Sequence, residues 1–331
     1  MKKEMGLLVL LILLCFIVCG VDVSQQLSSG GGISHLKLPR FLSQANLTNT
    51  ANVIGMYGVF SIGLGLVIIT GGIDLSVGSM FALAGVLLSM VLTEWHWPWP
   101  MAVIVVIALP MLLGWGHGAL ITRVGMQPFI VTLCGLLFYR GIARFIANDA
   151  TKGFGDAKGF EALRSVASGR LFGVPMPFVM LIIIGAIMWV VLHRSIYGRY
   201  LLAVGRNEEA ARFSGINTRK VVASAYVMAG LLTGISGVML AFYTNSVSPS
   251  THGNFYELYG IAAAVLGGCS LRGGEGSILG IVIGTSLLQV LQNLVNLLGI
   301  PSSLNFAVMG AVVLVGVLAD QILQKRRARK K

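Results

Sequence analysis

The stretch "TANVIGMYGVFSIGLGLVIITGGIDLSVGSMFALAGVLLSMVLT", Thr50 to Thr93, contains one charged residue, Asp74. Two apolar runs, residues 50–70 and 78–93, flank a short segment that carries glycines and Asp74. A helix that spans a bilayer needs roughly 20 consecutive, mostly apolar residues. The stretch therefore predicts two membrane spans joined by a tight link, the second of them short.

The composition of the whole chain extends this interpretation. Of its 331 residues, 56% are hydrophobic and 11% are charged, and the mean hydropathy is +0.84. Soluble domains carry about a quarter charged residues, so the composition excludes a water-soluble core. We predict an all-α polytopic membrane protein in which residues 1–331 form a single transmembrane domain.

Apolar runs bounded by polar residues, Gly or Pro predict about ten transmembrane helices. The third and eighth runs are short, which is typical of tilted, broken or shielded segments. The first resembles a signal peptide, but no small-residue cleavage site follows it, so we expect it to be retained. The predicted spans are 5–21, 50–70, 78–93, 99–117, 127–147, 173–192, 220–243, 256–270, 277–298 and 303–323.

Basic residues predict the orientation of these spans. With the N-terminus inside, 16 of the 24 Lys and Arg residues fall on the cytoplasmic side, as the positive-inside rule requires. We therefore expect both termini in the cytoplasm, a periplasmic loop at 22–46, a cytoplasmic loop at 193–220 and a basic tail at 324–331. The tail also suits contact with anionic membrane lipid. Because the net charge of +12 comes from span ends and tail, it does not predict binding to nucleic acid.

One polar segment, "GRNEEAARFSGINTRK" from Gly205 to Lys220, is unusual in so apolar a chain. It predicts a helix of about two turns that begins after a capping Asn and stops at a Gly. Two Glu residues occupy the first turn, where the helix dipole favours anions. Such a helix is too short to be stable alone in water, so the membrane domain or a partner must hold it. Its residues are Asn207, Glu208, Glu209, Ala210, Ala211, Arg212, Phe213 and Gly215.

Three stretches together carry a family resemblance: "IITGGIDLSVGS" (68–79), "YGRYLLAVGRNEEAARFSGINTRKV" (197–221) and "AVLGGCSLRGGEGSILG" (264–280). In this order they resemble the signature stretches of membrane permeases from ribose-type bacterial ABC importers. The likeness extends over about residues 40–323. It is specific to the family and much less specific to the sugar.

The resemblance implies a multi-pass permease subunit of the bacterial inner membrane, which carries a monosaccharide or related small polyol. Such permeases form a homodimer or a heterodimer with a related permease, and receive solute from a periplasmic sugar-binding protein. They dock onto a cytoplasmic ABC ATPase, which uses ATP and Mg, so no cofactor is expected on this chain. The segment 207–215 corresponds to the coupling helix that enters a cleft on the ATPase, and the sixth and seventh spans are the elements it moves.

The chain departs from the family in its long 22–46 loop. This Gly- and Ser-bearing segment either alters contact with the binding protein or is a flexible insertion.

Asp74 and Ser76 are candidates for the translocation path or its gate. An acid inside a membrane protein is a functional candidate by default, here as a proton relay or as an acceptor for sugar hydroxyls. The alternative is that Asp74 or Ser76 caps the third helix by accepting backbone N–H bonds, as part of the gate architecture.

A polar stripe on the ninth span is the other candidate for the path. Its residues share one helical face and would be costly in contact with lipid. They either line a path, where amides would bond passing hydroxyls, or hold helices together. The stripe comprises Thr285, Gln289, Gln292, Asn293 and Asn296.

Four polar residues are predicted at the outer mouth: Arg140, Arg144, Asn254 and Glu257. They either receive the binding protein or lie at the membrane interface, with long side chains that reach toward water.

Motifs narrow the classes of function. The chain has no P-loop, so it cannot hydrolyse ATP by that route, and it has no H-E-x-x-H or G-x-S-x-G motif. The leading hypothesis is a translocation subunit of an ABC importer that works by alternating access. The alternative is an ion-coupled secondary transporter of a small polar solute, which would need intramembrane carboxylates such as Asp74.

Overall fold

The computed structural model describes residues 2–28, 39–155 and 157–301, and residues 304, 307, 308, 310, 311 and 314 singly. Apart from those single residues, the predicted tenth span (303–323) and the tail (324–331) lie outside the described part of the chain. The described helices are α1 Lys2–Ser28, α2 Gln44–Ile69, α3 Val77–Thr93, α4 Trp99–Ala119, α5 Pro128–Ala147, α6 Glu161–Ser168, α7 Met176–His193, α8 Ile196–Arg206, α9 Glu208–Phe213, α10 Thr218–Thr244, α11 Tyr256–Leu266 and α12 Ile278–Leu297. A 3-10 turn covers Arg40–Leu42, and a π-helical turn, Leu120–Val124, continues α4.

Seven of these helices are long and apolar enough to cross a membrane: α1, α2, α4, α5, α7, α10 and α12. Two more, α3 and α11, are apolar but only 17 and 11 residues long. The predicted all-α polytopic fold is confirmed. Each of the first nine predicted runs corresponds to one of these helices.

Some boundaries differ from the sequence predictions. The first helix continues to Ser28, because the polar residues after the apolar run are compatible with a helix that extends beyond it. The predicted 22–46 loop therefore begins as helix, and the buried Asp22 accepts a hydrogen bond from the backbone N–H of Arg40. The predicted eighth span stops at Leu266, since the chain turns at Gly268, which has a φ of +94°.

The predicted 193–220 loop contains two helices, α8 and α9, rather than one. The side chain of Ser195 caps α8 by accepting the N–H of Gly198 at 3.1 Å. Asn217 caps α10 in the same way, through the N–H of Lys220 at 3.1 Å. Capping side chains therefore mark where the helices of this segment begin.

The central helix of the bundle is α2. In the most apolar part of α2, 89% of the residues are buried. The corresponding fraction is 28% in each of α4, α5 and α7, which present apolar faces outward. It packs against α7, α10, α11 and α12. Glycines allow close packing between helices: a Cβ at Gly63 would lie 2.9 Å from the Cα of Ala229 in α10.

The two short helices, α3 and α11, meet near the middle of the bundle. Their N-terminal regions are so close that a Cβ at Gly78 would overlap the Glu257 carboxylate and the Gly253 carbonyl. The Tyr256 ring lies 4.8 Å, centroid to centroid, from that of Tyr57, which is near the midpoint of α2. Each short helix is thus preceded by non-helical chain that enters the bundle. Such backbone is tolerated at membrane depth where protein surrounds it.

The bundle has two distinct ends. One carries α8, α9, the C-terminus of α2 and the 267–277 loop; we call it the α9 end. The opposite end, the α6 end, carries α6 and two small antiparallel strand pairs. These strands are β1 Lys152–Gly153 paired with β4 Ser246–Val247, and β2 Arg170–Leu171 paired with β3 Val174–Pro175.

Candidate translocation site and coupling helix

A cavity of about 250 Å³, which we call the polar cavity, opens between α2, α10, α11 and α12. It is formed by the N-terminal half of α2 and the C-terminal parts of α10 and α12, so it lies toward the α6 end. Its lining residues are Asn49, Thr50, Val53, Met56, Tyr57, Leu240, Tyr243, Thr244, Tyr256, Gln289, Gln292, Asn293 and Asn296. Pockets for drug-sized ligands span about 300–1,000 Å³, so this volume suits a smaller solute.

The predicted polar stripe of α12 divides into residues that face this cavity and one that does not. Gln289, Gln292, Asn293 and Asn296 all line it. Thr285 does not line it, and its hydroxyl donates to the Ile281 carbonyl of its own helix at 2.9 Å.

The four stripe residues that line the cavity differ in their hydrogen bonds. Asn293 exchanges side-chain hydrogen bonds with Asn46 of α2 at 2.8 and 3.2 Å, and also donates to Thr50 at 3.2 Å. It therefore joins α12 to α2. Within the described part of the chain, the side chains of Gln289, Gln292 and Asn296 have no protein hydrogen-bond partner. Their amides are available to a solute or to water.

The opposite wall of this cavity was not among the residues predicted from the sequence. Asn46, Asn49 and Thr50 share one face of α2, at spacings of three and four residues, and could have been found by the argument used for α12. Tyr243 donates to Asn49 at 2.8 Å across the cavity. The aromatic contribution from Tyr57 and Tyr256 has no sequence signal, since it depends on tertiary packing.

Every polar group that lines the described polar cavity is neutral. Amides and hydroxyls both donate and accept hydrogen bonds, and aromatic rings supply flat apolar surface. This combination can bind a small polyhydroxylated solute without holding it by charge.

Asp74 and Ser76 lie elsewhere, in the turn that precedes α3. Both are buried, and Oδ1 of Asp74 accepts the backbone N–H of Ser76 at 2.9 Å and its hydroxyl at 2.6 Å. Asp74 thus fixes the backbone at the start of α3. The Ser76 hydroxyl donates to Asp74 and does not accept a backbone N–H as a helix cap. Neither residue lines the polar cavity.

Around this turn lie polar neighbours that were not predicted from the sequence. Thr132 donates to the Ile73 carbonyl at 3.2 Å, and Tyr226 donates to the same oxygen at 3.5 Å. Tyr139 of α5 and His117 of α4 share a hydrogen bond of 2.7 Å. The turn is therefore fixed by α5 and α10 as well as by its own side chains.

The predicted polar helix is present as α9, with the predicted cap. The Oδ1 of Asn207 accepts the N–H of Ala210 at 2.9 Å. At the other end Gly215 adopts a φ of +83°, and its N–H donates to the Arg212 carbonyl at 3.0 Å. Glu208 and Glu209 occupy the first turn and are exposed.

One face of α9 is held by the membrane domain and the other is free. Ala211 is buried and packs in the main apolar core, whereas Phe213 is 82% exposed, with the Arg212 guanidinium 5.7 Å from its ring centroid. An exposed aromatic ring beside exposed charges is typical of a protein–protein contact.

A cleft of about 780 Å³ separates α9 and the start of α10 from the turn between α4 and α5. We call it the α9-side cleft. Glu208 and Arg212 line one wall, Thr122 and Gln127 the other, and Tyr226 is part of its lining. Fully buried apolar residues of α2, such as Val59 and Ile62, lie between this cleft and the polar cavity. They form an apolar layer between the two ends.

The four residues predicted at the outer mouth separate into buried and exposed pairs. Arg140 donates to the carbonyls of Pro249 at 3.2 Å, His252 at 2.7 Å and Gly78 at 3.1 Å. It thus braces the 246–255 segment against α3, and Glu257 is buried at the same junction.

Arg144 and Asn254 are exposed. Arg144 donates to Asp149 at 2.6 and 3.2 Å, and this hydrogen bonding lowers the pKa of the Asp149 carboxyl below its usual value.

Fold and site together define a class: a helical membrane transport protein with a neutral solute cavity and a projecting helix at the opposite end. Among the described residues, no group of three His, Cys, Asp or Glu side chains could hold a metal ion.

Residues 46–317 match the family described as branched-chain amino acid transport system, permease component. Over 292 residues the chain is 38% identical to the ribose import permease protein of Bacillus subtilis, covering 86% of this chain and 87% of the relative. The ribose import permease protein of Escherichia coli strain K12 is also 38% identical, with 85% and 87% covered. The fructose import permease protein of Bifidobacterium longum is 33% identical, with 78% and 72% covered.

The chain belongs to this permease family, as its resemblance to ribose-type importers implied. It is a multi-pass protein of the inner membrane. As the permease of an ABC importer it is a transport subunit and not an enzyme. Its activity requires an ATPase and a substrate-binding protein as separate subunits.

Proposed function

We propose that the chain forms the translocation path for a monosaccharide or related small polyol, delivered by a periplasmic binding protein. The observation that carries this proposal is the neutral polar cavity, where the amides of Gln289, Gln292 and Asn296, which bond no described protein group, suit hydroxyl groups. The ribose and fructose permeases among the relatives support the same class of solute.

The chemistry of the cavity also favours a sugar over the amino acids named in the family description. A branched-chain amino acid is a zwitterion at neutral pH, and a desolvated charge needs a charged or strongly dipolar partner. The described cavity lining offers uncharged amides and hydroxyls. A sugar needs only these.

We further propose ten spans with both termini in the cytoplasm, which places the α9 end inside and the polar cavity toward the periplasm. The chain then acts as one permease domain over residues 1–331, with a periplasmic segment at 22–46, whose two ends belong to α1 and α2, and a cytoplasmic segment at 193–220. The basic tail at 324–331 lies in the cytoplasm and contacts anionic lipid. The distribution of Lys and Arg supports this orientation.

In this orientation α9 is the coupling helix, and its exposed surface enters the ATPase. The capped ends at Asn207 and Gly215 support this role, because they preform a helix too short to persist alone. The ATPase uses ATP and Mg, and this chain binds no cofactor of its own.

Solute then passes by alternating access. The apolar layer between the polar cavity and the α9-side cleft is the closed barrier, and movement driven through α9 shifts the balance between outward-open and inward-open states. The α3–α11 junction, with Asp74 and Ser76 in the turn before α3, is the gate architecture. Broken helices that meet at membrane depth are typical of transporter sites.

We assign the exposed surface at the α6 end to a partner. Arg144 and Asn254, which are exposed at the α6 end, receive the binding protein, while Arg140 and Glu257 hold the segment behind them. A second permease copy, or a related permease, completes the path within the membrane.

Reversal of charge on α9 tests the coupling role. The double variant Glu208→Lys, Glu209→Lys is expected to lower the solute-dependent stimulation of ATPase activity on the order of tenfold or more, while the assembled membrane domain stays folded. The measurement is ATP hydrolysis by the reconstituted complex with and without loaded binding protein. Glu161→Lys, on exposed α6 at the other end, is the control. Wild-type stimulation in the double variant would refute the coupling role.

A further inference from the structure

The residue just before the α8 C-terminus, Gly205, lies directly against α2 and the 267–277 loop. A Cβ at Gly205 would overlap the carbonyl oxygen of Ile69, the last residue of α2, and would crowd the backbone nitrogen of Gly274. The N–H of Gly274 in turn donates to that same Ile69 carbonyl at 2.8 Å. Three chain segments therefore meet at one carbonyl group.

A second set of contacts surrounds this point. Gly273 has a φ of +82°, and a Cβ there would lie 2.7 Å from the Gly205 carbonyl oxygen and 2.9 Å from the backbone nitrogen of Gly71. Gly274 has a φ of +75° and packs against Arg206. We call Ile69, Gly71, Gly205, Gly273 and Gly274 the glycine junction. It joins the three sequence stretches that carried the family resemblance.

The contacts of the glycine junction are made by backbone atoms. Side chains can change rotamer to absorb a displacement, but directly contacting backbones cannot. A shift of α8 must therefore displace the end of α2 and the 267–277 loop. The loop leads into α12, whose first turn is capped by Ser277.

The two ends of α9 are attached to the rest of the chain in different ways. One residue, Asn207, separates α9 from α8. Toward α10 the link runs through Gly215, where a Cβ would meet no atom within 4 Å. The α9-side cleft leaves further space between α9 and the turn between α4 and α5.

We propose that the glycine junction transmits the movement of α9 into α2 and α12, the two helices that supply most of the polar cavity lining. This inference rests on the proposed coupling role of α9. It adds a route to the one implied by the family resemblance, in which the spans next to α9 in sequence, α7 and α10, are moved. In this route α9, the end of α2 and the 267–277 loop move as one unit.

Spin-label distances in the complete transporter test whether α9, the end of α2 and the 267–277 loop move as one unit. One pair joins Ser214→Cys at the end of α9 to Leu271→Cys in the loop, across the junction. The other joins Ser214→Cys to Val124→Cys, across the α9-side cleft. All three positions are exposed, and the four native cysteines are replaced. The complex contains the ATPase and binding protein and is compared without nucleotide and with vanadate-trapped nucleotide.

We expect the Ser214–Leu271 distance to stay within about 1–2 Å between the two states, while the Ser214–Val124 distance changes by about 5 Å. A Ser214–Leu271 change as large as that across the cleft would overturn the transmission route but leave the coupling role intact. If neither distance changes, the coupling role itself fails and this inference fails with it.

A glycine substitution gives a second test. Gly205→Ala adds a methyl group at the junction, whereas Gly185→Ala adds one in α7 where no atom lies within 4 Å. At equal amounts of assembled complex, Gly205→Ala is expected to retain ATP hydrolysis but to lose its dependence on loaded binding protein, and uptake falls on the order of tenfold. Gly185→Ala behaves like the wild type. Normal coupling in Gly205→Ala would overturn the proposal.

Discussion

The polar cavity and the glycine junction use the same central helix in opposite ways. In the N-terminal half of α2, polar side chains such as Asn49 and Thr50 face α12 across open space. At its C-terminus, the Ile69 carbonyl directly contacts Gly205 and Gly274 without an intervening side chain. The cavity can adapt to a solute because amides and hydroxyls can rotate, whereas the junction cannot adapt. In the proposed mechanism, solute handling and force transmission are therefore separated along one helix.

The largest expected effect is at the junction. Gly205→Val places a branched side chain against the end of α2 and should destabilise the chain by about 3 kcal/mol, the upper part of the range for overpacking. Gly185→Val, which faces open space in α7, is the matched control. Thermal unfolding of both purified variants measures the difference. Equal melting temperatures would show that the junction is not close-packed.

The turn before α3 lies between these two regions. Substitution of its acid, Asp74, distinguishes a helix-capping role from a proton relay. Asp74→Ala removes the acceptor of two hydrogen bonds and should cost about 1–2 kcal/mol, as for loss of a helix cap. Asp74→Asn keeps an acceptor at the same position, so uptake by the complete transporter should persist. Loss of uptake in a stably folded Asp74→Asn variant would instead support the ion-coupled alternative.

A smaller effect is expected in the polar cavity, where it distinguishes a residue that packs helices from a residue of the path. Asn293→Leu removes hydrogen bonds to Asn46 and Thr50 and should destabilise the helix packing by about 1 kcal/mol. Gln292→Leu removes no protein hydrogen bond among the described residues, so it should lower uptake several-fold and leave stability unchanged. Unfolding and uptake are measured on the same preparations. The opposite pattern would make Gln292 the packing residue and Asn293 the path residue.

The smallest change in stability is expected at the exposed rim. Arg144→Ala breaks the ion pair with Asp149, and exposed pairs of this kind contribute little. Because the pKa of Asp149 is lowered in the folded state, any stabilisation is present near neutral pH and disappears as the pH falls through that pKa. Melting temperature at pH 7 should not change, while binding-protein stimulation of ATPase activity should weaken. Unchanged stimulation would remove Arg144 from the docking surface.

Local sequence features predicted much of the fold and the presence of α9. Apolar run length located the seven described candidate spans and the two shorter apolar helices, and Asn207 and Gly215 located both ends of α9, because apolar runs and caps depend on neighbouring residues. The α12 stripe was visible for the same reason.

Features that depend on tertiary contacts were not predictable in this way. Nothing local indicates that Asn46 bonds Asn293, or that Arg140 turns inward to three carbonyl groups. The convergence of Gly71, Gly205 and Gly273 was equally hidden, since each glycine alone is compatible with an ordinary turn. Helix α8 was missed because its Arg and Tyr residues interrupt the apolar pattern on which the spans were predicted.

The central claim is that this chain provides a path but depends on a separate ATPase acting through α9. The most direct test is uptake of labelled ribose and fructose into liposomes that contain the chain, with binding protein outside and ATP inside, in the presence or absence of the ATPase subunit. We expect uptake of at least one sugar only when the ATPase is present, and no response to a proton or sodium gradient alone. Uptake driven by an ion gradient without the ATPase would contradict the account.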